Sequence, residues 1–204
     1  MSKYIDHIFY INLDKRMDRK TEFETSMARV GWKSERFSGI YCPPPRGIVG
    51  CTKSHLAVLK LAKERKYKNV LIFEDDFEWI ESVAVVEEEL SKLFTHNPNF
   101  DVCFLAYNLK KGRQDEKYPF LIKTDYSTTA SAYIVNQHYY DTLITLYEEC
   151  IPKLESTMKH WLYANDQIWQ SLQEKDNWYC FMRRLGKQRD GFSDNANGMV
   201  KYNC

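Results

Sequence analysis

The chain has 204 residues, of which 44% are hydrophobic, and its 29 basic and 28 acidic residues leave a net charge of +1. This composition excludes a disordered chain, and the length suits a single domain over residues 1–204. The balanced charge gives no reason to expect nucleic acid as a partner. No run of 18 apolar residues and no signal-peptide pattern occurs, so we expect a cytoplasmic protein without a transmembrane segment.

The first elements in chain order are a predicted strand over residues 7–13 and a helix after it. Asp14 is the expected helix cap, and Gly31 can close the helix. Arg16 and Arg19 are three residues apart, so they share a helix face beside the end of the strand. Such a pair of cations suits a diphosphate or a nucleotide, and a solvated basic face is the alternative.

A second helix is predicted to open at residues 50–55, with Thr52 or Ser54 as its cap. Lys53 could add positive charge near the start of this helix, where it would help to neutralise a diphosphate. His55 lies in the first turns of the helix, and a lone histidine is more often structural than catalytic. None of the six cysteines belongs to a C-x-x-C pair, which argues against a zinc site.

The strongest pattern is the apolar run at residues 70–73, which is followed directly by Glu74, Asp75 and Asp76. The run predicts a buried strand, and ligands of parallel sheets bind beyond the carboxyl ends of strands. Three adjacent carboxylates repel one another, and a hard divalent cation such as Mn²⁺ or Mg²⁺ relieves that conflict. The alternative is a solvated acidic turn.

Further patterns complete the second half of the chain. An amphipathic helix is predicted from Ile80 to Leu93, strands over residues 101–107 and 128–135, and a charged mobile loop over residues 110–117. Asn136 is the expected cap of the next helix, and residues 177–182 are expected to be the last strand. Alternating strands and helices predict an α/β fold with a mostly parallel central sheet flanked by helices.

Five separated segments, taken together and in this order, resemble the motifs of glycosyltransferase family 25, which includes lipooligosaccharide and procollagen galactosyltransferases. They are YINLDKRMDR at 10–19, GCTKSHLA at 50–57, LIFEDDF at 71–77, TASAYIV at 129–135, and QR with FSD within 188–194.

This resemblance implies a GT-A-type, Rossmann-like fold and an inverting transfer of galactose or glucose from a UDP-hexose donor. It also implies Mn²⁺, with Mg²⁺ as the alternative, and a hydroxyl acceptor on a glycan, a lipid-linked molecule or a protein. The resemblance implies that Asp76 binds the metal and that Asp194, Asp190 or water takes the place of the C-terminal histidine that many relatives use, because no histidine follows His160. The residues expected to bind the donor are Asn12, Arg16, Arg19, Lys53, His55, Glu74 and Asp75.

An inverting displacement also needs a base for the acceptor hydroxyl. We choose Asp166, which follows Trp161 and Tyr163 and opens a late helix. The alternative for Asp166, or for Asn165 before it, is a plain helix cap. Two other functions stay open: a catalytically silent protein that binds UDP-sugars, and a receiver-like Mg²⁺ signalling domain.

Overall fold

The computed structural model describes residues 3–194 and 198–202. Its strands are β1 His7–Asn12, β2 Glu35–Ser38, β3 Asn69–Glu74, β4 Phe77–Trp79, β5 Val102–Gln114, β6 Leu121–Asn136, β7 Trp178–Phe181, β8 Gly186–Gln188, β9 Gly191–Ser193 and β10 Gly198–Val200. Its helices are α1 Met17–Arg29, α2 Gly47–Glu64, α3 Val83–His96, α4 Tyr140–Thr157, and the single turns α5 His160–Tyr163, α6 Asn165–Ile168 and α7 Gln170–Gln173. A 3₁₀ turn, Gln137–Tyr139, precedes α4.

The central sheet has the strand order β2-β1-β3-β6-β5-β7. β1 runs parallel to β2 and β3, and β5 runs parallel to β7, while β6 is antiparallel to its neighbours β3 and β5. Five strands therefore share one direction and β6 opposes them. The predicted α/β fold with a mostly parallel sheet is confirmed.

Each face of the sheet is covered by a pair of helices. Alternate side chains of β3 point to opposite faces: Val70 and Ile72 join the core under α2 and α4, and Leu71 and Phe73 join the core under α1 and α3. Because β3 is buried on both sides, its residues 70–73 are continuously apolar rather than alternating.

The register brings the carboxyl ends of β1 and β3 together. Ile11 pairs with Glu74, so Asn12 and the residues after Glu74 leave the sheet at the same edge. Two small sheets follow beyond this edge: β4 pairs with β8, and β9 pairs with β10. The prediction that residues 177–182 form the last strand is therefore wrong. The polar tail after them forms short strands that pair outside the central sheet.

The predicted caps of the first two helices are wrong. α1 begins at Met17, and the Asp14 carboxylate accepts hydrogen bonds from Arg36 and Ser38 instead. Thr52 and Ser54 lie inside α2, which begins at Gly47, and their hydroxyls donate to carbonyls one turn back. Gly31 does follow α1 in a left-handed conformation, φ +69°, as its prediction required.

Three predictions in the second half also need correction. The helix expected from Ile80 begins only at Val83, after β4 and the cap Ser82. The segment at 110–117 is strand as far as Gln114, since its backbone pairs with β6 across several bulges while its charged side chains stay exposed. Asn136 stands at the N-cap position of the 3₁₀ turn before α4, but its side chain makes no capping hydrogen bond, because its amide donates to the carbonyls of Pro98 and Phe100.

Cys103 and Cys150 are buried free thiols, and Cys204 lies outside the described residues. Among the helices in the described ranges, none combines the length and the apolar character that crossing a bilayer requires.

Candidate functional site

A cleft lies at the carboxyl ends of β1 and β3, where the sheet predicts ligand binding. It holds about 760 Å³ of space, part of it open to solvent. Its charged and polar lining includes Lys15, Arg16, Arg19, Cys51, Glu74, Asp75, Asp76, Gln188, Asp194 and Tyr202. The start of α1, the loop before α2, the end of β3 and the C-terminal strands therefore all contribute to one cleft.

Asp75 and Asp76 share a single cation, the Arg19 guanidinium. Nη1 of Arg19 lies 2.9 Å from Oδ1 of Asp75 and 3.0 Å from Oδ2 of Asp76. Both aspartates are buried, and the second oxygen of Asp75 accepts a 2.7 Å hydrogen bond from Nδ2 of Asn12. Asn12 is itself fixed, since its Oδ1 accepts from Arg36. The end of β1 thus orients the acids at the end of β3.

The charge on Asp76 is the least well compensated of the three acids. Burial, followed by the negative charge of Glu74, raises the pKa of Asp76 to about 7, although Arg19 opposes this shift. Gln188 donates to its Oδ2, whereas its Oδ1 is buried and accepts no hydrogen bond from any described residue. Burial also raises the pKa of Asp75. A second cation near this pair would therefore be favoured.

Arg16 lies at the N-cap of α1 rather than on the helix face of Arg19, and it belongs to a different cluster. Its guanidinium pairs with Asp18 and with Asp194 at 2.7 Å, and Lys15 pairs with the other oxygen of Asp194, also at 2.7 Å. These cations outweigh burial and lower the pKa of Asp194. Neither predicted arginine is a solvated basic face, because both have carboxylate partners.

Glu74 turns towards α2 rather than towards Arg19. Its Oε1 lies 3.0 Å from Nε2 of His55 and 3.4 Å from Sγ of Cys51, and the other ring nitrogen of His55 lies 2.8 Å from the Tyr133 hydroxyl. Burial alone would raise the pKa of Glu74, but the hydrogen bond and charge of His55, with Cys51, outweigh it and lower that pKa. His55 is fully buried and does not line the cleft, but it is hydrogen-bonded to Glu74, which does.

Lys53 and Asp166 do not line the cleft in this structure. Lys53 pairs with Glu155 of α4 at 2.7 Å. Asp166 lies in the first turn of α6, and its Oδ2 accepts a 3.1 Å hydrogen bond from the backbone amide of Thr129 in β6. The alternative that Asp166 or Asn165 caps this helix is wrong, since the cap position is Ala164 and no side chain caps it. Burial raises the pKa of Asp166, and the charge of Glu74 adds to the shift.

The C-terminal strands close the cleft over α1. The carbonyl of Phe192 accepts from Arg19 at 2.8 Å and from Arg16 at 3.3 Å, and the Asp76 carbonyl accepts from the Arg189 amide. Three further residues line the same cleft although no role was predicted for them from the sequence: Lys15, Cys51 and Tyr202. For Cys51 a signal existed: it lies four residues before His55 on a helix, so both face the same way.

The aspartate pair suits a hard divalent cation. Two carboxylate oxygens converge on one guanidinium nitrogen of Arg19, and Oδ1 of Asp76 has no hydrogen bond from a described residue. Mg²⁺ and Mn²⁺ are commonly held by one or two carboxylates together with substrate phosphates. Asp194 would join such a site only by exchanging its ion pairs with Lys15 and Arg16.

No protein-family model matches the chain, and no curated protein matches it significantly. Among solved structures, it is similar to the glycosyltransferase GlyE of Streptococcus pneumoniae TIGR4, with a TM-score of 0.51 and 10% identity over 87% of this chain. It also resembles A197 from STIV, with a TM-score of 0.48, 14% identity, and coverage of 98% of this chain and 95% of that one. A third structure is a glycosyltransferase involved in glycosylation of the major capsid of PBCV-1, with a TM-score of 0.45, 8% identity, and coverage of 86% and 92%.

The pneumococcal match shows the fold, which is of the GT-A type as predicted, and the chain spans 45% of that enzyme's length. Identity this low does not carry an activity from one protein to another. The other two TM-scores lie below 0.5 and add nothing to the fold assignment. Membership of family 25 stays a prediction.

Proposed function

We propose that the chain is a glycosyltransferase that moves galactose or glucose, with inversion, from a UDP-hexose to a hydroxyl acceptor. The acceptor would be carried by a glycan, a lipid-linked molecule or a protein. The observation that carries the proposal is the pair of buried aspartates, with one oxygen left without a hydrogen bond from any described residue, at the strand ends of a GT-A-type sheet.

Asp75 and Asp76 would hold the divalent cation, Mn²⁺ or Mg²⁺, which supplies Lewis-acid neutralisation of the leaving diphosphate when bound. Arg19 competes with that cation for the two aspartates. Once displaced, the Arg19 guanidinium is available to a diphosphate, and Arg16 and Lys15 already provide positive charge at the rim of the cleft. Asn12 keeps Asp75 oriented throughout.

Asp166 is our proposed base for the acceptor hydroxyl. Burial raises the pKa of Asp166, which favours proton uptake by its carboxylate, as a general base requires. Glu74, His55 and Lys53 complete the predicted donor-side set, with His55 acting through Glu74. A cation at Asp194 in place of its present ion pairs would extend the metal shell.

The second candidate is a protein that binds UDP-sugars without transferring them. It is favoured by one observation: Asp166 does not line the cleft, and its Oδ2 already accepts from Thr129. The receiver-like alternative loses support, because receiver sheets are parallel and here the antiparallel β6 lies between β3 and β5.

Binding and turnover separate these candidates. UDP with Mn²⁺ should raise the melting temperature of the chain more than either alone, since ligands that bind only the folded state stabilise it. UDP-galactose and UDP-glucose should then be hydrolysed slowly without acceptor if the chain is an enzyme. Stabilisation without any hydrolysis or transfer would select the silent binder, and absence of stabilisation would refute both.

A further inference from the structure

A second group of metal-binding side chains lies beside the aspartate pair, on the α2 side of the cleft. Cys51, His55 and Glu74 each offer one ligand atom, and these three atoms lie within 4.8 Å of one another. Cys51 and His55 are one helical turn apart on α2, so their side chains project in the same direction towards the end of β3.

The distances between the donor atoms are close to those of ligands around one metal ion. Sγ of Cys51 and Nε2 of His55 lie 3.4 Å and 3.0 Å from the same oxygen of Glu74. In a tetrahedral zinc site, ordinary bond lengths place sulfur and nitrogen about 3.6 Å and about 3.3 Å from a carboxylate ligand. Small side-chain movements would therefore admit an ion among the three atoms.

His55 is held in the orientation that a metal ligand needs. Its Nδ1 lies 2.8 Å from the hydroxyl of Tyr133, and its ring is fully buried and stacks on the Tyr133 ring with a centroid distance of 5.7 Å. Ligating histidines regularly have such a partner on the second nitrogen, which fixes the ring and leaves the first nitrogen for the metal. Nε2 is accordingly directed at Glu74.

We propose that Cys51, His55 and Glu74 form a three-ligand site for a borderline divalent cation of the Zn²⁺ class, with its fourth position open to the cleft. Thiolate and imidazole ligands select such ions over Mn²⁺ and Mg²⁺, which prefer oxygen. Cys51 and Glu74 both line the cleft, so water or a ligand can reach the fourth position. Binding breaks the S–H bond of Cys51, forms a metal–sulfur bond and releases the proton to solvent.

This site shares Glu74 and His55 with the predicted donor-side set, but it is separate from the aspartate pair, and metal binding at it can be tested without the transfer reaction. Asp75 and Asp76 turn to Arg19 on α1, whereas Glu74 turns to α2. The competing explanation is a hydrogen-bonded cluster that only supports Glu74.

Co²⁺ is the probe, because a thiolate ligand gives tetrahedral Co²⁺ a sulfur-to-metal charge-transfer absorption. The full chain should take up one equivalent with that absorption, and Zn²⁺ should abolish it. Cys51→Ser should lose the band, and Cys42→Ser is the matched control, because Cys42 lines the same cleft at similar exposure but lies outside the cluster. Asp76→Asn should keep the band, whatever it does to UDP binding.

A measurement on the unsubstituted chain guards against a variant that fails to fold. Zn²⁺ should slow alkylation of Cys51 at least about tenfold, since a metal-bound thiolate is shielded, and should leave Cys42 unchanged. The proposal is overturned if the charge-transfer band is absent, if Cys42→Ser removes it as Cys51→Ser does, or if Zn²⁺ protects both cysteines equally.

Discussion

At the carboxyl end of β3, the pKa values of neighbouring carboxylates shift in opposite directions on the two sides of the strand. On the α2 side, His55 stabilises the charged form of Glu74 and lowers its pKa. On the α1 side, burial raises the pKa of Asp76 to about 7 even though Arg19 lies 3.0 Å away. The three consecutive acids therefore do not form one site. The charge of Glu74 is stabilised by its hydrogen bond to His55, whereas the charge of Asp76 is only partly compensated by Arg19, and a bound cation would compensate the rest.

Asp166 provides the largest expected effect, and it tests whether a residue that does not line the cleft takes part in turnover. Asp166→Asn keeps the size of the side chain and an oxygen for the Thr129 amide. Transfer should fall about 10²- to 10⁴-fold, the usual effect of losing a positioned base, with UDP binding unchanged. Steady-state kinetics and calorimetry measure the two quantities. Normal turnover in this variant would move the base to Asp190 or Asp194, which the same substitution then tests.

The two acids should differ when each is neutralised. Asp76→Asn should reduce transfer about 10³-fold, because several kcal/mol of charge stabilisation are lost, and should remove the Mn²⁺-dependent part of UDP stabilisation. Glu74→Gln should keep that Mn²⁺ dependence and lower the free energy of unfolding by about 1 kcal/mol, since its bond to His55 is no longer charge-assisted. Thermal shifts with and without Mn²⁺ compare them. Full transfer in EDTA would contradict the assignment of Asp76.

Arg19 in the first turn of α1 and Arg16 at its N-cap give a sharper comparison at one helix end. Arg19→Gln should raise the affinity for Mn²⁺, without nucleotide, about tenfold, because the competing cation at Asp75 and Asp76 is gone. Arg16→Gln is the comparison, since Arg16 pairs with Asp18 and Asp194 instead, and an equal gain in that variant would place Asp194 in the metal shell. Titration calorimetry with Mn²⁺ measures both. Equal or weaker binding by Arg19→Gln would show that Arg19 does not compete with the metal.

The smallest expected effect is on stability against pH. Asp76 has a usual pKa of 3.8 and a raised folded-state pKa of about 7. Its contribution to stability is therefore complete below pH 3.8 and is lost as the pH rises through about 7. The facing groups are Glu74, Asp75, Arg19 and Gln188.

Without metal, the melting temperature should fall between pH 5 and pH 8, and Asp76→Asn should fall less. Each kcal/mol of difference corresponds to about 2–4 °C for a chain of this size. Thermal unfolding in EDTA across this pH range measures the difference. An identical fall in both proteins would show that Asp76 is already ionised at low pH.

The local sequence pattern was enough to predict most of the fold and the position of Glu74, Asp75 and Asp76 at a strand end. Residues 70–73 read as a buried strand because they are apolar on both faces, and the acids follow at the edge where ligands bind. The predictions of side-chain caps at Asp14 and Asn136 failed, because both side chains bond to residues distant in sequence. Local sequence rules do not include such contacts. The strand predicted over residues 101–107 was too short, because the second half of β5 is charged although its backbone pairs with β6.

The roles of the individual site residues were harder to predict than their position. A shared helix face suggested that Arg16 and Arg19 act together, but the tail brings Asp194 to one and β3 brings Asp75 and Asp76 to the other. The pairing of His55 with Glu74 depends on how α2 packs on the sheet. Such choices depend on tertiary contacts.

The contact between α1 and the Phe192 carbonyl has a consequence for how the protein folds. Arg16 and Arg19 bond to residues 173 to 178 positions further along the chain. Closing a segment of that length is costly in chain entropy and is repaid only when much of the structure is already in place. We therefore expect the central sheet to assemble before the cleft is closed, so that a refolding chain acquires its native secondary structure earlier than its affinity for ligand.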